Sequence, residues 1–209
     1  MSFCDPVLVA NVLRETNGAY PLPQRAARER WQVLRATALG HEILCRAEAA
    51  LSEPTPPLPA SFYLAFHRSG AREPYEQPSA ERRERLTLFA LAECLEAKGR
   101  FLDAVLDEAW AICEESTWVT VGHGFDWQRE LPEPGRPIID LFSAITAAAL
   151  AEIDYLLDDA LHPVLRDRIR CEIERRSTGP FLARDDYPWL GLGAKKSTTG
   201  CRSVLAARR

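Results

Sequence analysis

Residues 92–118 read AECLEAKGRFLDAVLDEAWAICEESTW, and their pattern decides the fold. After Gly99 the apolar residues Leu102, Val105, Leu106, Ala109, Ile112 and Cys113 recur at i, i+3, i+4 and i+7, which is one face of an α-helix. Before Gly99 the reading is also helical. Ser79, directly after Pro78, has the chemistry of an N-cap, Glu81 puts an acid in the first turn, and Gly99 can supply the left-handed residue that ends a helix. The spacing predicts an antiparallel helical hairpin, with residues 70–78 as the loop that leads into it.

Working outward, residues 24–51 read as one long helix carrying Trp31, Val33, Leu34, Ala38, Ile43 and Leu44 at helical spacing, stopped by SEPTPPLP at 52–59. Residues 61–67 form a single extended or helical turn. Beyond the hairpin, residues 116–137 (STWVTVGHGFDWQRELPEPGRP) make a long aromatic connection, and loops of that length in a helical protein are commonly functional or disordered. Pro137 then opens a helix, IIDLFSAITAAALAEIDYLL, apolar on almost every side and so expected to be surrounded by others. The segment after Pro163, VLRDRIRCEIERR, carries one stripe (Leu165, Ile169, Ile173) on a charged background and belongs on the outside, ending near Gly179. A buried helix followed by a charged one implies an all-α fold of two concentric layers of helical hairpins.

Composition narrows the function classes. The 209 residues are 46% apolar, enough for one ordinary domain. Net charge is −4, from 26 basic and 30 acidic residues, but Lys195, Lys196, Arg202, Arg208 and Arg209 all follow the last acid, Asp186. Without those five the count is 21 against 30, or −9, and so acidic a body excludes nucleic acid as the main partner. The six cysteines (Cys4, Cys45, Cys94, Cys113, Cys171, Cys201) lack the spacing of a zinc site or redox motif and read as reduced, mostly core thiols. The N-terminus has no basic n-region, so the expected location is cytoplasmic. The longest uncharged run, residues 141–151, is too short to span a bilayer. Neither a metal motif nor a cofactor-binding glycine loop is visible. His41 and His162 read as capping or surface residues, and His67 has no spaced partner.

Two constellations could carry chemistry. Glu115 and Trp118, followed by His123 and Trp127, combine aromatic faces that stack on sugar rings with a His beside carboxylates that can handle protons near neutral pH. The same residues could equally wedge a loop onto the core. Asp185, Asp186, Tyr187 and Trp189 could line a carbohydrate groove, since paired carboxylates serve glycoside hydrolysis, or could simply solvate a turn.

Two resemblances add to this. Residues 92–112 resemble a tetratricopeptide unit, but a step of 34 residues from Gly99 lands on Ala65 or Glu133, neither in a similar segment, so a helical-repeat scaffold is the alternative. A glycosidase on an α/α toroid, using acids such as Glu115 and Asp186, is another. The wider resemblance runs over residues 25–191. Residues 92–119, the segment LPEPGRPIIDLFSAITAAALAEIDYLL, LHPVLRDRIRCEIERR and DDYPWLG together resemble the N-terminal helical domain of heparinase II/III-like polysaccharide lyases. Glu-Glu-Ser-Thr-Trp at 114–118 and Arg-Pro-Ile-Ile-Asp-Leu-Phe at 136–142 are its most specific pieces.

The resemblance implies an incomplete (α/α) toroid and β-elimination on an acidic, uronate-containing polysaccharide. Donors neutralise the carboxylate, the developing enolate is stabilised, and a Tyr or His removes the C5 proton. It implies Glu115, Trp118, His123, Asp186, Tyr187 and Trp189 as cleft-lining, substrate-binding residues rather than the catalytic set. His123 follows Val121-Gly122, where the family more often shows Pro-Ala.

The Asn-Asn-Trp motif expected soon after Trp189-Leu190-Gly191 is replaced by AKKSTTGCRSVLAARR, and the family's β-sandwich and its Tyr and His positions do not follow. Ser197-Thr198-Thr199-Gly200 can be encoded TCA ACA ACT GGN, which read one nucleotide earlier gives Asn-Asn-Trp. The expectation is therefore an N-terminal extension at 1–24, a partial toroid at 25–191 and a frame-shifted tail at 192–209. As written the chain is expected to be a non-catalytic, association-prone lyase fragment.

Overall fold

The computed structural model describes residues 21–123, 130–133, 135 and 138–183, most of which lie in helices, and no strand occurs among them. The chain divides into two units, Tyr20–Ser177 and the paired segments Met1–Ala19 and Thr178–Arg209. In Tyr20–Ser177 the order is α1 (Arg28–Arg35), α2 (Ala38–Ala50), α3 (Ala60–Ser69), α4 (Glu73–Glu96), α5 (Leu102–Glu114), α6 (Leu141–Leu157) and α7 (Pro163–Ile173). A 3-10 turn, Asp158–Ala160, precedes α7, and a π-helical turn, Glu174–Thr178, follows it. The other unit includes α8 (Gly179–Ala183). Among the described residues no helix is long and apolar enough to cross a membrane.

The organising element is α4, which packs against α1, α2, α3, α5 and α6. Leu86, Phe89, Ala90 and Leu95 of α4 meet Val105, Ala109 and Ile112 of α5 in the core, each fully buried. Burial of each large apolar side chain contributes roughly 1.5–3 kcal/mol. Phe89 and Phe101 stack with ring centres 6.3 Å apart. The turn between the helices is made by Ala97 (φ 55°) and Gly99 (φ 78°). Ala97 is the residue that caps α4, its N–H reaching the Glu93 carbonyl at 2.7 Å. The buried Glu93 carboxylate accepts from the Gly99 N–H at 2.9 Å and from Arg25 Nε at 3.0 Å. Arg28 then donates to the carbonyls of Cys94 (2.6 Å) and Leu95 (3.1 Å), two of the last acceptors of α4.

Four expectations change. The long helix over 24–51 is two helices. Thr37 is extended (φ −85°, ψ 162°), and its hydroxyl oxygen accepts from the Gly40 N–H at 3.1 Å while donating to the Leu34 carbonyl at 2.6 Å, so α1 stops and α2 is capped by one side chain. Residues 60–69 form a full helix, ended by Gly70 at φ 77°. Residues 73–78 are not loop, because α4 starts at Glu73 with Pro74 in its first turn and runs through Pro78. Proline there removes only an early ladder bond, and Tyr75 is buried, anchoring that turn. Ser79 caps nothing; its hydroxyl accepts from Arg83 Nη1 at 3.0 Å.

The fourth concerns α6. Asp140 caps it in a reciprocal box with Ser143, while Pro137 lies outside the described residues. The helix is not enclosed on all sides: Leu141 is 75% and Ile145 52% exposed, whereas Leu150, Ile153, Leu156 and Leu157 are buried. The α7 stripe behaves as read, with Leu165 and Ile169 buried and Ile173 packed partly against the core. Cys94 and Cys113 are buried core thiols whose pKa burial pushes up to about 12, whereas Cys45 and Cys171 are exposed. Cys4 and Cys201 lie outside the described residues, as does most of the segment at 1–24 and all of 192–209.

Gly40 is where the fold has least room. A Cβ added to it would collide with the Leu34 carbonyl oxygen and sit 2.7 Å from the Arg35 Cα, backbone atoms that cannot swing away. Gly40→Ala is therefore expected to destabilise the chain by about 1–3 kcal/mol despite alanine's better helix propensity, read as a lower urea midpoint at unchanged slope.

Candidate functional site

The long connection after α5 is held by Asp140. Being the N-cap of α6, it accepts from the Ser143 N–H with Oδ1 at 2.7 Å. Its other oxygen, Oδ2, accepts from the Thr120 N–H and the Thr120 hydroxyl, both at 3.1 Å, and lies 3.0 Å from His123 Nδ1. A turn closed by the His123 N–H on the Thr120 carbonyl (3.0 Å) brings the ring there. An ionised carboxylate only accepts, so the proton is assigned to Nδ1, and the neutral imidazole keeps its lone pair on Nε2. The His123 side chain is 57% exposed while that of Asp140 is 7% exposed. An oriented imidazole backed by a buried carboxylate is an arrangement suited to taking or holding a proton.

Val121 of the same turn packs with Tyr63 and Tyr75, whose rings meet edge to face at 5.1 Å. Burial pushes the Tyr63 hydroxyl's pKa up, and the Asp140 charge pushes it further. Tyr75 is raised in the same way, by burial first and then by Glu115. These tyrosines line a groove of about 320 Å³ with Leu58, Arg82, Glu115 and Ser116. A second, more open groove of about 520 Å³ lies along α5 and is lined by Thr55, Asp107, Trp110, His162 and Val164; Ala111 and Glu114 belong to both. Trp110 is half-buried, its indole N–H on Glu114 at 2.8 Å and the Arg168 guanidinium 5.4 Å from its ring centre.

The residues singled out in the sequence fall in different places. Glu115 lines the smaller groove but is saturated. Arg83 grips it at 2.7 and 3.0 Å, and Arg82 adds a contact at 3.3 Å. Trp118 is a core residue, 2% exposed, with its N–H on the Ile112 carbonyl at 2.9 Å and Arg176 4.9 Å from its ring centre. His123 alone of the three is open. Asp186, Tyr187, Trp189 and Trp127 lie outside the described residues. His162 does cap α7, accepting from the Val164 N–H at 3.2 Å, whereas His67, read as without a spaced partner, pairs with Glu130 at 3.1 Å.

Sequence reasoning passed over Tyr63, Trp110 and Asp140. Asp140 could have been found, because Asp followed three residues later by Ser at the head of an apolar run is an N-cap signature. No family model matches the chain, and no curated protein matches it.

One charged cluster at the end of α7 sets an acid limit. Glu172 of α7 receives Arg168 at 2.9 Å, Arg176 at 2.7 Å and Arg175. Burial alone would raise its carboxyl pKa, but the hydrogen bonds from Arg176 and Arg175 and their charges outweigh it and the pKa is lowered. A lowered folded-state pKa gives stability that is present above the unfolded value of about 4.3 and is lost as pH falls through the folded one. In urea titrations Glu172→Gln is expected to be less stable than wild type at pH 7 and to lose less on going from about pH 5 to pH 3. Parallel pH curves for the two proteins would contradict this.

Proposed function

We propose that the chain is the glycan-holding helical domain of a heparinase II/III-like polysaccharide lyase, built as a section of an incomplete (α/α) toroid and acting on an acidic, uronate-containing polysaccharide. Support for the toroid comes from the pairing of hairpins. Helices α4 and α5 form one antiparallel hairpin, α6 and α7 form the next, and α4 packs on α6 while α5 packs on α7. Inner helices against inner and outer against outer is the arrangement of a toroid section.

The observation that carries the functional reading is the His123–Asp140 pair, open to solvent at Nε2 and fixed at Nδ1. With its tautomer fixed, the imidazole can accept a hydrogen bond from a sugar hydroxyl at Nε2, the substrate-binding role the resemblance implies for His123. The grooves along α5 suit sugars in the usual way, with a half-buried Trp face, tyrosine hydroxyls and carboxylates able to accept from hydroxyl groups.

Calorimetric titration with alginate, heparan sulfate and neutral β-glucan oligosaccharides tests the reading. Binding of at least one uronate oligosaccharide is expected, weakening as salt is raised and about fivefold weaker in His123→Ala, for loss of one hydrogen bond. Equal affinity for the neutral glucan, or no binding of any uronate, would overturn it.

A further inference from the structure

The larger groove along α5 has a chemistry that a glycan leaves partly unused. Its lining holds Trp110 between two carboxylates of α5, Asp107 and Glu114, and includes no Lys or Arg. Both acids are exposed. Glu114 accepts from the Trp110 indole N–H at 2.8 Å, and among the described residues neither acid is in an ion pair. Neighbouring charges are matched instead. Arg83 holds Glu115 at 2.7 Å, and Arg168, which lies over the Trp110 ring, is held by Glu172 at 2.9 Å. Behind Thr55 of the groove wall, the buried Glu108 gives one oxygen to the Thr55 hydroxyl (3.2 Å) and to Arg85 (2.6 Å) and leaves its other oxygen without a hydrogen bond among the described residues. The groove is therefore acidic as well as aromatic.

Its remaining surface is aliphatic. From α7 come Val164, 55% exposed, and the buried Leu165. A sugar can use Trp110 and the carboxylates, but these branched side chains offer a hydroxyl nothing. An apolar side chain fills such a surface, and a cation satisfies the two acids.

The spacing of the acids narrows the shape of the occupant. Seven residues on a helix bring a side chain back to within about 20° of its starting direction and about 10.5 Å further along. Asp107 and Glu114 thus stand nearly on one line of α5, with Trp110 between them. In an extended peptide, side chains on one face recur at about 6.7 and 13.4 Å, and neither matches. A second helix laid along α5 matches at its own seven-residue repeat.

We propose that this groove docks an amphipathic helix of a partner protein, with Lys or Arg at two positions seven residues apart and a large apolar side chain between them that packs beside Trp110 and Val164. Helix-in-groove recognition has this form, apolar anchors on one face and charges at its edge. The proposal goes beyond the polyuronate reading and makes no use of His123.

Two alanine-based peptides of about 16 residues test it by calorimetry. Both contain two lysines and two leucines. In the first the lysines are seven apart with the leucines between them; in the second they are five apart and so on different faces. The first is expected to bind wild type at least about fivefold more tightly than the second, with affinity falling as salt is raised. Asp107→Asn and Glu114→Gln should each weaken it by about fivefold, and the double variant should bind the two peptides alike. The Trp110 indole N–H signal should shift with the first peptide. Thermal melts of the variants are expected to match wild type, because neither acid holds a cation of the fold.

Equal affinity of wild type for the two peptides, or affinity for the first unchanged in the double variant, would overturn the docking site. So would displacement of the first peptide by an alginate oligosaccharide, since the groove would then belong to the glycan. Peptide binding that meets these expectations in a protein that binds no uronate oligosaccharide would uphold the docking site and overturn the polyuronate reading alone.

Discussion

The Arg83–Glu115 ion pair is the constraint on which the remainder of the molecule hangs. Arg83 projects from the middle of α4 and joins it to the end of α5 and to α6. Its two terminal nitrogens take both oxygens of Glu115 at the end of α5, its Nε donates to Thr146 of α6 at 2.8 Å, and its plane lies 4.8 Å from the Phe142 ring centre. Arg82 reaches the same carboxylate and the Pro56 carbonyl, at 2.8 Å. Buried charges of this kind add little net stability over well-packed apolar groups, but removal of one partner strands the others at about 3–5 kcal/mol. Their contribution is placement: α5 must end at Glu115, and α6 must present Thr146 and Phe142 to α4.

That placement passes to the site. Because α5 ends where Glu115 is held, residues 116–123 leave the hairpin in a fixed direction, with Trp118 sunk against the Ile112 carbonyl and sealed by Arg176. Val121 then locks into the Tyr63–Tyr75 cluster, and the backbone arrives at Asp140. Asp140 joins structure to chemistry, one oxygen starting α6 and the other orienting His123. The same carboxylate that caps a helix thus fixes which imidazole nitrogen is tied down and which is left to face away from it.

The hairpin of α4 and α5 was legible because a helical stripe of apolar residues broken by a glycine has few other solutions. What was not legible had contrary local signals. Pro78 looks like a start, yet Pro74 in the first turn and buried Tyr75 carry the helix back to Glu73. Ala36-Thr37 contains no breaker, so the corner between α1 and α2 depends on a threonine cap and on Gly40, three residues later, which lets two backbones touch. Arg82, Arg83 and Arg85 look like a solvated helix face and are buried, because the partners that neutralise them, Glu115, Glu108 and Glu53, come from other parts of the chain. In the site, aromatic and acidic content drew attention to residues 115–123 but could not separate Trp118, which fills the core, from His123, which faces solvent.

Because the central claim concerns where a uronate chain lies, a crystal structure of the protein with an alginate oligosaccharide bound tests it most directly. Sugar density is expected against the exposed ring of His123, with a sugar hydroxyl on its Nε2. Ordered sugar bound elsewhere on the surface, with His123 untouched, would contradict it.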